Sequence, residues 1–228
     1  MQAFADRTLS WAAALALFAV AGWLCVRVPD WSPWIRVGGG IFIFGSREEG
    51  SAEPPHEVKL AAFSIGRTEL TCGEFAEFRT TTAPDPRRPV SAVSYDDALA
   101  YCAWLSEKLG RRVRLPTEAE WEFAARGGVL GARYPWGWGA PEGRACFASD
   151  SVRRVASFAA NPVGLHDMAG NVAEWCQAEG DAARAPVRGG SWADRAPKFL
   201  RVFQHVMLPR EYRDADVGFR VAVENVER

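Results

Sequence analysis

The segment RGGSWADRAPKF, Arg188 to Phe199, gathers residue types that a small reactive site needs. A glycine pair permits a sharp turn. Ser191 follows with a hydroxyl, Trp192 with a flat apolar face, and Asp194 and Arg195 with opposite charges side by side. A carboxylate next to a guanidinium can orient a polar substrate or take a proton as a general base. The same residues also have a purely architectural reading. In it Trp192 is packing, and Asp194 pairs with an arginine such as Arg201, Arg213 or Arg220. The segment itself holds no cysteine and no histidine.

Other reactive side chains are few. The three histidines, His56, His166 and His205, show no ligand spacing, so the sequence gives no support to a two-histidine, one-carboxylate iron site. The five cysteines (Cys25, Cys72, Cys102, Cys146 and Cys176) form no CxxC pair. Cys102 falls on the apolar face of a predicted helix, as a small buried hydrophobe does. Spacing leaves any disulfide pairing open.

Something must position these groups, and composition bounds what it is. The chain has 228 residues with 27 basic and 28 acidic side chains, so it carries no electrostatic case for nucleic acid. Its size suits one domain plus an extra segment. Ten tryptophans and 21 glycines imply a turn-rich fold pinned by aromatic anchors. Three capping boxes announce helices: Thr71 with Glu74, Ser94 with Asp97, and Thr117 with Glu120. The second opens DDALAYCAWLSEKLG, with Ala98, Cys102, Leu105 and Leu109 at helical spacing and Gly110 as its stop. The third opens EAEWEFAARGG, with Pro116 before it and Gly127 at its end. GGGIFIFGS and HEVKLAAFSIGRTEL read as strands, and VGFRVAVE as a last strand with Phe219, Val221 and Val223 on one face. Between Gly128 and that strand regular periodicity almost vanishes. The fold class is α+β with much irregular structure.

The N-terminus stands apart. Thr8 to Val26 holds no charged residue and is flanked by Arg7 and Arg27. A run of about 18 or more such residues is long enough to span a bilayer as a helix. Ala19 and Ala21 also satisfy the small-x-small rule for signal cleavage, and a buried helix is the third reading. The first two export the remainder, and residues 28–36 then serve as a linker and lead-in strand.

The motifs RLPTEAEWEFAARGG, YPWG, NPVGLHDMAGNVAEW, RGGSW and GFR follow one another as in the sulfatase-modifying-factor, or formylglycine-generating-enzyme-like, family, and the chain resembles that family from about Val37 to Val223. The resemblance implies a C-type-lectin-like α+β domain over residues 37–225, behind an N-terminal anchor or signal at 1–27. It implies several activities: copper-dependent cysteine oxidation on sulfatases, iron-dependent sulfoxide synthesis, maturation of a pyoverdine chromophore by an exported branch, and binding without chemistry. Aligned on GGSW, the two copper cysteines of the family fall at Asp194 and Phe199. A carboxylate and a phenyl ring do not make a soft thiolate site, so no copper is expected.

The resemblance also implies one structural Ca²⁺ held by Asp167, Gly170, Val172 and Glu174, a plausible oxygen set for a hard cation. A second family calcium site is missing near Cys146. Ser191, Trp192, Asp194 and Arg195 fall at the family's reactive groove. Trp121, Trp136 and Trp175 are expected as packing anchors, and Arg220 as a structural arginine tied to a carboxylate such as Glu122. The resulting expectation is a bacterial inner-membrane protein with its domain in the periplasm. It matures or modifies a small molecule or peptide. The alternative is a non-catalytic accessory subunit holding a membrane-associated partner.

Overall fold

All three predicted capping boxes close. The computed structural model of the protein describes residues 33–48, 51, 54–80, 85–180 and 183–224. Helices α1 (Cys72–Ala76), α2 (Tyr95–Leu109) and α3 (Glu118–Arg126) each begin with reciprocal bonds between the cap hydroxyl and the acidic residue three positions on. α2 and α3 stop where Gly110 and Gly127 take left-handed backbone angles, which satisfies their last carbonyls at little steric cost. α1 is short, ending after five residues. Phe75 stacks on Tyr101 and Phe78 meets it edge-on, so the aromatic contacts extend past the end of the helix.

Ten short strands complete the described residues: β1 (Trp34–Val37), β2 (Gly40–Phe44), β3 (His56–Leu60), β4 (Phe63–Gly66), β5 (Val113–Arg114), β6 (Ala173–Trp175), β7 (Arg184–Arg188), β8 (His205–Pro209), β9 (Val217–Gly218) and β10 (Ala222–Glu224). They form an antiparallel sheet β1-β4-β10-β5, a hairpin β2-β3, and a sheet β8-β7-β6-β9 in which only β6 and β9 run parallel. Two predicted strands divide. HEVKLAAFSIG becomes β3 and β4, in different sheets, with Ala61 and Ala62 belonging to neither strand. VGFRVAVE becomes β9 and β10. Every residue from Val217 to Val223 is buried, so both faces are covered and the apparent alternation carried no inside-outside signal.

Two large apolar cores result, with a smaller third around Tyr134, Ala145, Ala169 and Leu200. One joins α1 and α2 to Trp175 and Phe219; the other surrounds Trp121 with Phe63, Ile65, Leu165 and Met168. Trp121 and Trp175 are fully buried, as expected of anchors, while Trp136 is half-buried and stacks on Tyr134 at 5.2 Å. Between α3 and β6 the chain has no helix or strand. The uncharged run Thr8–Val26 lies outside the described residues. No helix among those described is long and apolar enough to cross a membrane.

Candidate functional site

β7 ends at Arg188, and the chain reverses through Gly189 and Gly190, both with positive φ. A Cβ on Gly190 would sit 2.7 Å from the Phe199 carbonyl oxygen, so the turn lies flush against the 3₁₀ turn Pro197–Leu200 only with glycine there. A second turn locks the first. Gly170 N–H donates to the Gly189 carbonyl, and Trp192 N–H to the Asn171 carbonyl, each at 2.9 Å. Asn171 is buried in the left-handed region; its amide donates to Glu69 at 2.9 Å, and its side-chain oxygen accepts from Arg153 N–H at 2.9 Å. The motifs AGN and GGSW therefore form one stitched unit, 20 or so residues apart in sequence but adjacent in space.

This unit opens on a cleft of about 160 Å³, lined among others by Ser191, Asp194, Phe199, His205, Tyr212 and Asp216. Ser191 Oγ lies 3.2 Å from Asp194 Oδ2 and 3.2 Å from Asp216 Oδ2. Asp194 Oδ2 also accepts from Ser191 N–H at 2.8 Å, closing its own turn. It pairs with none of the three arginines anticipated for it. Asp216 differs: its Oδ1 is buried with no partner. Burial pushes the Asp216 carboxyl up, and the charges of Asp214 and Asp194 add to that against the Ser191 hydrogen bond.

The cleft's imidazole comes from β8. His205 stands opposite Arg188 in the β7-β8 register. Its Nδ1 is 2.5 Å from Glu118 Oε2, and that carboxylate also receives Arg188 Nη1 at 2.8 Å. Burial works to raise the Glu118 carboxyl, but the bonds from His205 and Arg188 outweigh it and hold Glu118 below the usual range. Arg188 itself is tied to Glu122 and to the Val202 carbonyl. An imidazole fixed through Nδ1 has Nε2 left for proton exchange.

Of the four residues foreseen at this groove, Ser191 and Asp194 line the cleft. Trp192 and Arg195 do not. Trp192 donates its indole N–H to the Ala215 carbonyl, and Arg195 is exposed, 3.8 Å from exposed Asp150. Sequence reasoning missed His205, Glu118 and Asp216. The one available signal was that the chain has only three histidines.

The two positions aligned with copper cysteines, Asp194 and Phe199, line this same cleft. Cys72, Cys102, Cys146 and Cys176 are free and buried, and none lines it. Burial pushes the Cys102 thiol up to about 12 and Cys176 well above its ordinary value, so neither is a ready thiolate.

The expected calcium set lies beneath the second turn. Arg220 Nε and Nη2 grip both oxygens of Glu174 at 2.6 Å, and Trp121 Nε1 adds a third bond at 2.7 Å. Arg220 thus has Glu174, not Glu122, as its carboxylate; Glu122 is held by Arg126 and Arg188. Asp167 Oδ2 accepts from Ala156 N–H at 2.6 Å. As arranged, both Glu174 oxygens already accept hydrogen bonds from cationic or indole N–H donors, and the Arg220 guanidinium neutralises the carboxylate that the expected cation would need. The donor set fits Ca²⁺ poorly while Arg220 stays in place.

The fold and the stitched double turn define an α+β protein whose groove is built by irregular loops. The chain belongs to the sulfatase-modifying-factor family: the sulfatase-modifying factor enzyme 1-like domain matches residues 27–225. It is 42% identical to the formylglycine-generating enzyme of Streptomyces coelicolor over 82% of this chain and 88% of that protein. It is 30% identical to the serine/threonine-protein kinase pkn1 of Chlamydia caviae over 85% of this chain, but spans only 38% of that kinase's length. The solved structure of PvdO from Pseudomonas aeruginosa superposes with a TM-score of 0.73 and 28% identity, covering 84% of this chain and 94% of that one.

Proposed function

We propose that this protein is an exported, membrane-anchored member of the family that serves in the bacterial periplasm as a maturation or modification factor, acting on a small molecule or peptide bound in the Ser191 cleft. The observation that carries the reading is the convergence of Ser191, Asp216 and the Glu118-held His205 on one concave site behind an intact glycine turn. Thr8 to Val26 is the proposed anchor. Formylglycine generation is set aside because carboxylate and phenyl side chains occupy the positions of the copper thiols. One Ca²⁺ at Asp167, Gly170, Val172 and Glu174 belongs to the proposal only with Arg220 displaced. Titration of chelator-treated protein to millimolar Ca²⁺ without heat removes it.

The test is a gene deletion followed by mass analysis of periplasmic small molecules and peptides. The deletion should accumulate an unprocessed species. Wild type should clear it, and a cleft-filling Leu208→Trp variant should not. A second reading, a non-catalytic accessory subunit for a membrane-associated partner, is favoured by one feature: Asp194 caps its own turn and Arg195 faces solvent, so the expected charged pair does not form. Unchanged masses in the deletion, with a partner protein that copurifies with wild type and not with Leu208→Trp, would decide for it.

A further inference from the structure

We propose that the cleft takes the cationic nitrogen of its ligand, an ammonium group on an apolar or aromatic body, between Asp194 and Asp216. This rests on the reading of the Ser191 cleft as the ligand site. The first observation is a shortage of protons. Ser191 has a single hydroxyl hydrogen, yet its Oγ faces Asp194 Oδ2 and Asp216 Oδ2 at the same 3.2 Å. Only one carboxylate receives that hydrogen at a time. Asp194 has the Ser191 N–H as well; Asp216 has no second donor, and its Oδ1 is buried and bare.

Charge gives the second observation. No arginine, lysine or histidine pairs with either carboxylate among the described residues. Nearby basic side chains are committed elsewhere: Arg188 to Glu118 and Glu122, Arg213 to Asp97, and His205 to Glu118. The site thus concentrates negative charge in a partly buried cleft, where an ammonium donating to a carboxylate forms one of the stronger hydrogen bonds available. A third observation is independent of the acids. Arg188, a cleft-lining residue with a side chain 1% exposed, keeps its Nε–H without a partner. A ligand that carries an acceptor near its ammonium meets this need too. Phe199, Leu208 and Tyr212 supply apolar and aromatic walls for the ligand's body. A hydroxyl-bearing or anionic ligand leaves Asp216 uncompensated, which is how the cleft discriminates.

The experiment compares 4-fluorobenzylamine with 4-fluorobenzyl alcohol by fluorine NMR on the full chain in nanodiscs. Binding is located by amide hydrogen exchange. Wild type should bind the amine at least about tenfold more tightly than the alcohol, with protection at residues 205–217. Asp216→Asn keeps the side chain's shape and should remove that preference while alcohol binding stays the same. Partition into lipid is common to both proteins and cancels; a melting curve checks that the variant is folded, and Asp216→Ser replaces it if it is not. Equal binding of amine and alcohol with protection at 205–217 overturns the charge assignment and leaves the cleft reading standing. Amine binding without protection there overturns both.

Discussion

Two groups of carboxylates sit on either side of the GGSW turn, and they are satisfied to different degrees. Beneath it, Glu174 takes three hydrogen bonds from Arg220 and Trp121, and Arg220 donates further to the Gly66 and His166 carbonyls. Both residues are at most 1% exposed. In the cleft above, Asp194 and Asp216 share one hydroxyl and have no cationic partner among the described residues. Complete satisfaction is what a structural ion pair needs, because a buried charge without a partner costs several kcal/mol. Incomplete satisfaction is tolerated where solvent or a ligand reaches. The difference separates the part of the molecule that holds the fold from the part that meets another molecule.

The largest break should come from the lower group. Glu174→Ala leaves the Arg220 guanidinium buried and uncompensated, and should lower unfolding free energy by about 3–5 kcal/mol in urea titrations. Replacing both partners, as in Glu174→Leu with Arg220→Met, should cost clearly less, since no lone charge remains. A loss below about 1 kcal/mol in the single variant would mean that water reaches this pair.

The turn between the two groups comes next. Gly190→Ala forces a side chain into a positive-φ position and against the Phe199 carbonyl oxygen, at a cost of about 1–3 kcal/mol. Gly110→Ala, also at positive φ but with open space around it, should cost about 1 kcal/mol. Melting temperatures of the two variants side by side separate steric contact from backbone strain.

Much of this arrangement was legible in the sequence, and the reasons differ by region. Caps are local, so Thr71, Ser94 and Thr117 announced their helices, and Gly110 and Gly127 their ends. The family motifs carried the glycine turn and the lack of copper thiols. What stayed hidden depends on contacts over long separations. Arg220 reaches Glu174 across 46 residues and His205 reaches Glu118 across 87, and no local spacing marks either pair. Asp194 looked catalytic because its neighbour is charged. The hydrogen bond it accepts from Ser191 N–H, by which it closes its own turn as well as lining the cleft, appears only once the backbone is placed. Strand boundaries failed where burial on both faces erased alternation, as in Val217 to Val223.

A third carboxylate lies between the two extremes. Asp97 caps α2, accepts from Ser94 N–H, and meets Arg79 and Arg213. Burial works to raise its pKa, but those bonds outweigh it and set the value at about 2. A depressed folded value means that the stabilisation is present above the unfolded value, about 4, and is lost as pH falls towards 2. Arg79 and Arg213 are about half exposed, with relative side-chain areas of 51% and 50%, which reduces the effect to about 1–2 kcal/mol. Asp97→Asn should remove that share of the acid dependence of unfolding between pH 4 and 2. An unchanged acid limb would assign the transition to other carboxylates.

The smallest effect carries the opposite sign. The Asp216 carboxyl is raised by burial, so its folded value lies above its unfolded one. Its contribution to stability is then fully present below the unfolded value and lost as pH rises through the folded value, which leaves the ionised side chain a burden at neutral pH. Asp216→Asn removes the charge and keeps the shape. At pH 7 it should leave the melting temperature unchanged or raise it, by less than about 1 kcal/mol in unfolding free energy. The gap between variant and wild type should close as pH is lowered. That outcome is hard to reconcile with an architectural role for Asp216, because the satisfied carboxylates Glu174 and Asp97 are both predicted to lose stability when replaced. A loss of 2 kcal/mol or more would instead place Asp216 with Glu174, as part of the frame, and would leave the cleft with no group set aside for a ligand.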